Sequence, residues 1–120
     1  VYTSLLGLGA DLLALDPTTD YLPLSFANMT IIFAENTEVE PVAGDVLNAL
    51  LAYDDGLGFY VDFQTTAYTC MALDALGMEA EYAMSCDLLR GRIDALGRII
   101  EPDGYVYFEI QGEILQALLR

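Results

Sequence analysis

A chain of 120 residues suffices for one domain, and its 55% apolar content, with a mean hydropathy of +0.42, supplies a packed core. Nineteen Asp and Glu against four Arg, with no Lys and no His, set the formal charge at −15. That balance argues against nucleic-acid and anionic-membrane binding, which need clustered cations, and it removes every catalytic or metal-binding arrangement that requires histidine.

The charge is unevenly spread. Residues 1–89 hold fourteen acids and no base, whereas residues 90–120 hold five acids and all the arginines, Arg90, Arg92, Arg98 and Arg120. A Lys-free acidic surface fits high salt, an extracellular setting or cation binding; solubility for a chain this apolar is the plainer explanation. No segment reaches the roughly 20 apolar residues of a membrane span. The longest uncharged window, 21–34, contains Pro23 and several polar groups. A start at Val1 without a basic leader suits a processed chain or a piece of a longer one.

Gly and Pro divide the chain into helical segments and loops. Residues 3–15 place Leu5, Leu8, Leu12 and Leu15 at helical spacing and stop at Asp16-Pro17. A loop follows to Leu24. The Phe, Ile and Thr of residues 25–34 lean toward a strand, although a short helix also fits. Pro41 opens the next helix, whose stripe is Val46, Leu47, Leu50 and Leu51, and Asp54-Asp55-Gly56 ends it. A Gly- and aromatic-rich loop then runs to Phe63. The third helix, from Thr65 or Thr66 to Leu76, is apolar on nearly every face and meets Gly77, so it is expected to be enclosed on two sides.

The fourth helix, about Glu79 to Arg98, is amphipathic. Tyr82, Cys86, Leu89, Ile93, Leu96 and Ile100 form its apolar stripe, and Asp87 with Arg90 and Asp94 with Arg98 have the spacing of ion pairs on the wet face. Glu101-Pro102-Asp103-Gly104 closes it. A last helix covers about Gln111 to Leu119.

Two stretches read as copies of one unit. Gly58 to Thr66 leads into the third helix and Gly104 to Glu113 into the last; each is an aromatic, hairpin-like loop ending in acid–apolar–Gln, as Asp62-Phe63-Gln64 and Glu109-Ile110-Gln111. The repeat units are about 41–77 and 79–119, within a single module 1–120. Each pairs a two-faced apolar helix with an amphipathic one, and neither buries its surface alone.

The Gly-Phe loop, the Gln-Thr-Thr-Ala-Tyr start at Gln64 and the Ala-Leu-Asp-Ala-Leu-Gly ending at Gly77 resemble the prenyltransferase and squalene-oxidase repeat. Glu109 to Leu119 is similar to the same helix start in a following repeat. The resemblance spans about residues 55–119. It implies a mainly α fold of α/α-hairpin repeats, forming an arc or part of the α/α-toroid shared by terpenoid cyclases, protein prenyltransferase β subunits and thioester domains. A closed toroid of this group has more hairpins than 120 residues supply. The chain is then expected to be a fragment, an open arc, or a unit completed by copies or adjacent repeats.

The family's chemistry does not carry over. There is no Asp-x-Asp-Asp run; Asp54-Asp55 continues as Gly-Leu-Gly, so Asp-Asp-x-x-Asp fails at Gly58; and neither Cys70 nor Cys86 begins Cys-Gly-Glu-Gln. Zinc-dependent prenyl transfer lacks its His. Cys70 and Cys86 lie almost equidistant from a turn at Gly77-Met78, which faces them across antiparallel helices and favours a disulfide over the alternative of two buried thiols. Asn28-Met29-Thr30 is a glycosylation sequon. The loop acids Asp54, Asp55, Asp62, Asp103 and Glu109 are candidate calcium ligands or a solvated acidic rim. The aromatics Tyr53, Tyr60, Tyr105 and Tyr107 stand near the helix starts, to stack on a ligand or pack the loops.

The resulting expectation is an extracellular or cell-surface module without cofactor, calcium aside. It assembles through apolar helix faces with copies of itself or adjacent repeats. The rival is a fragment of a toroid enzyme whose cavity, lined by Tyr68, Met71 and Glu113, holds a polyprenyl or glycan substrate.

Overall fold

The computed structural model describes residues 14, 24, 27, 28, 30–32, 35, 45 and 48–120. The helix expected over 3–15 and most of the stretch from 33 to 47 lie outside the described residues. Among those described the chain is mainly helical, with two isolated β-bridges, Asp54 to Tyr60 and Tyr60 to Asp62, and no strand. Residues 48–51 are helical, with Leu50 fully buried. Three helices follow: α1 (Phe63–Ala75), α2 (Glu79–Gly91) and α3 (Phe108–Leu118).

Helix α1 starts at Phe63 because Asp62 caps it, its carboxylate accepting the Thr65 amide at 2.7 Å. Thr66 and Thr69 are poor helix formers, yet each hydroxyl donates to the carbonyl four residues back, Asp62 and Thr65, which satisfies them in the core. The helix ends in a complete Schellman motif. Gly77, at φ +71°, donates to the Asp74 carbonyl and Met78 donates to that of Leu73. Phe63, Ala67, Cys70 and Met71 are buried along one flank, with Thr65, Thr66, Thr69 and Leu73 buried elsewhere around the axis. The expected two-sided enclosure is present.

Helix α2 returns antiparallel to α1. Near its middle Ser85 reaches the loop before α1, donating to the Gly58 carbonyl at 2.9 Å. Helix α3 lies parallel to α1: Gln64 and Tyr68, in the first turns of α1, meet Glu113, while Asp74 at its end meets Arg120. Tyr82 of α2 donates to the Ala117 carbonyl near the end of α3 at 2.7 Å. Cys86 and Leu89 of α2, Ile99, and Ile110, Ile114 and Ala117 of α3 complete one apolar core with the flank of α1.

The fourth expected helix is shorter than its hydrophobic spacing implied. It stops at Gly91, and residues 94–98 form a separate turn in which the Asp94 carboxylate accepts the amides of Leu96 and Arg98. A carboxylate that satisfies its own loop's amides competes with helix continuation. Ile93, Leu96 and Ile100, expected in the core, are therefore exposed, and Ile99 is buried instead. The Asp87–Arg90 pair is intrahelical; the Asp94–Arg98 pair forms inside the turn. The last helix begins at Phe108 rather than Gln111. Residues 27, 28 and 30–32 are helical, which corrects the lean toward a strand: Asn28 Nδ2 bonds the Leu24 carbonyl and Glu35 N that of Ile31, both four residues back.

Candidate functional site

A groove of about 750 Å³ opens at the shared N-terminal ends of α1 and α3. One wall is Val61, Asp62 and Gln64, the floor is the turn at 101–103, and the other wall runs from Val106 to Ile110. Its acids are Asp62, Glu101, Asp103 and Glu109, and no base lines it. Phe108 stands at its edge 91% exposed. Val61 has φ +67°, a conformation that costs a β-branched residue about 1–2 kcal/mol. It sits at the centre of a three-residue turn closed by the Asp62 amide on the Tyr60 carbonyl at 2.7 Å. That turn aims Asp62 back to cap α1 while leaving Val61 in the groove wall.

The floor is one of three related turns. In each, an acid's amide donates to the carbonyl four residues on, and a glycine occupies the fourth place: Asp55 to Phe59 with Gly58, Asp94 to Arg98 with Gly97, and Glu101 to Tyr105 with Gly104. These glycines have φ of +86°, +77° and +88°. In the first two turns the leading carboxylate accepts amides of its own loop, Leu57 and Phe59 on Asp55, and Leu96 and Arg98 on Asp94. Glu101 departs from this pattern. Its two oxygens accept the amides of Phe63 and Gln64 at 3.0 and 3.1 Å, at the first turn of α1. Asp103 takes over the local role by accepting the Tyr105 amide.

Glu101 is only 6% exposed. Burial raises its pKa, reinforced by the negative charges of Asp62 and Asp103, and the two amide bonds oppose that shift without cancelling it. Asp103 goes the other way: the Tyr107 hydroxyl and the Tyr105 amide stabilise its anion and lower its pKa. The same bond raises the Tyr107 phenol. Next to the floor, the Gln111 side chain clasps the backbone of Ile99, accepting its amide at 2.8 Å and donating to its carbonyl at 3.0 Å.

The five candidate calcium ligands are not gathered into one site. Asp54 and Asp55 sit in the loop before α1, where the Asp54 carboxylate accepts the amides of Gly56 and Gly58. Asp62, Asp103 and Glu109 reach the groove, with Asp62 and Asp103 already accepting backbone amides. Among the described residues no three acids or thiols converge in a geometry that would hold a metal ion. Asn28 is half-buried and Thr30 fully buried. Tyr68 donates to Glu113 at 3.0 Å, and Gln64 Nε2 donates to the other oxygen of the same carboxylate at 3.0 Å. Met71 is in the core, so these expected cavity residues tie α1 to α3 outside the groove.

Cys70 and Cys86 are both buried free thiols, and they interact with each other across the α1–α2 interface. Burial, followed by the neighbouring Cys86, pushes the Cys70 thiol well above its ordinary range. Tyr82 is pushed up to about 12, by burial first and then by its bond to Cys86.

The candidate residues that sequence reasoning missed are Glu101 and Phe108. Glu101 looked like part of a helix terminator, and the acid-x-x-Gly spacing that it leads also occurs at Asp55, Asp74, Asp94 and Glu109, so the pattern alone does not single it out. Comparison with protein-family models, with curated proteins and with solved structures finds no match. The groove sets carboxylates beside the exposed ring of Phe108 in a chain of charge −15.

Proposed function

We propose that this chain is an α/α-hairpin repeat module of the α/α-toroid kind that acts by assembly at an extracellular or cell surface. The supporting observation is the contrast between its parallel helices. Helix α1 is enclosed on two sides, whereas α3, which begins with a similar acid–apolar–Gln signal, buries only Ile110, Ile114 and Ala117. Its uncovered flank carries Leu115 at 57% and Leu119 at 75% exposure, and Leu96, from the turn at 94–98, is 74% exposed. A further helix laid there, from a second copy or an adjacent repeat, would give α3 the surroundings that α1 has.

Charge opposes that contact between copies, so association should depend on screening. Sedimentation velocity across sodium chloride from about 0.05 to 1 M, with and without calcium, tests the reading. Oligomers should grow with salt, and Leu115→Glu should return them to monomer. A wild-type chain that stays monomeric throughout refutes assembly between copies.

A further inference from the structure

The geometry points to the groove between the α1 and α3 N-termini as the docking site for a basic, apolar-flanked peptide segment of a partner protein. This surface differs from the α3 flank assigned to assembly. Its walls offer apolar contact through Val61, Val106 and Phe108, while Asp103 and Glu109 stand at the exposed rim. A helix-packing role does not account for Phe108, which is 91% exposed on the first residue of α3. An occupant must bring its own apolar groups to cover that ring and cations to meet the carboxylates.

Charge selects among occupants. A second copy brings −15 into an acidic groove, and its arginines are largely engaged: Arg90 with Asp87, Arg98 with Asp94 and Arg120 with Asp74. A nucleic acid or an acidic peptide is repelled in the same way. A segment alternating Arg or Lys with aliphatic residues satisfies both walls: its aliphatic groups cover Phe108, and its cations lie against Glu109 and Asp103 and over the aromatic face. The net charge of the whole chain steers such a segment toward the groove.

The test is fluorescence anisotropy with a labelled synthetic peptide of alternating Arg and Leu, and a control peptide with Glu in place of Arg. The Arg peptide should bind, with affinity falling about tenfold between roughly 50 and 300 mM sodium chloride, and the Glu peptide should not. Phe108→Ala should weaken binding by about five- to tenfold, and Glu109→Gln by about threefold with a shallower salt dependence. Both positions are exposed, so circular dichroism should confirm an unchanged fold. Glu79→Gln, in the first turn of α2 at the other end of the helices, should bind as wild type.

Equal loss in Glu79→Gln and Glu109→Gln would mean diffuse attraction to an acidic chain and would overturn the site. So would unchanged binding in Phe108→Ala. Self-association abolished by Phe108→Ala, without peptide binding, would give the groove to a second copy and refute the basic partner.

Discussion

Glu101→Ala is the most informative single change. It removes both acceptors from the amides of Phe63 and Gln64, one of them on a buried residue, at the start of the helix around which the core is built. Each bond to a charged acceptor is worth about 1.5–3 kcal/mol, and release of the buried carboxylate returns part of that sum. The net loss should be about 2–4 kcal/mol. With a urea slope of about 2 kcal/mol per molar, the midpoint falls by about 1.5 M, read by circular dichroism at the helical minimum. Glu101→Gln keeps one acceptor and should lose about half as much.

The pH dependence separates the carboxylate from a merely space-filling side chain. Because the folded pKa of Glu101 is raised, the native state binds its proton more tightly than the unfolded chain. Wild type should therefore gain stability relative to Glu101→Gln as pH falls through the folded pKa. The gain is complete below the unfolded value and lost again as pH rises. A midpoint for Glu101→Ala within about 0.2 M of wild type, or a margin over Glu101→Gln that is flat with pH, refutes the role assigned to this side chain.

Two further outcomes follow from local geometry. A Cβ on Gly58 would lie 2.8 Å from Ser85 Oγ and 3.2 Å from Ser85 Cα, at φ +86°, so Gly58→Ala should cost about 2–4 kcal/mol in a urea melt. Gly104→Ala, at φ +88° with open space around it, should cost only about 1–2, and equal costs would refute the packing at Ser85. The thiols of the reduced, native chain should resist a thiol-reactive dye until urea unfolds it and should then both react; rapid labelling of the native chain contradicts the burial of Cys70 and Cys86.

The parts of the fold legible in the sequence are those in which local chemistry and burial agree. Gly77 ends α1 as capping rules require, and the lack of a polar face gave its two-sided enclosure; the start expected at Thr65 or Thr66 lies at Phe63 instead, because Asp62 caps the helix. The end of α2 was hidden because the spacing of Ile93, Leu96 and Ile100 continues a helical stripe, while the deciding interaction is a side-chain cap on Asp94. Asp-Ala-Leu-Gly occurs twice, at 74–77 and 94–97, and closes a helix once and a free turn once. The four residues alone do not choose between these outcomes. At the groove, Asp62 and Asp103 lie in loops as expected, whereas Glu109, expected in a loop, is in the first turn of α3; the partners of these acids were not foreseeable. The amides that Asp62 and Asp103 accept lie three and two residues away, whereas Glu101 reaches across 38 residues to Phe63.

Among the three acid-led turns, the one that begins with Glu has a side chain one methylene longer than Asp, and it alone sends its leading carboxylate to a neighbouring helix. Shortening it to Asp would let the turn close on itself like its siblings and uncouple the rim from α1. Side-chain length at this one position thus acts as a latch between the turn at 101–105 and the start of α1.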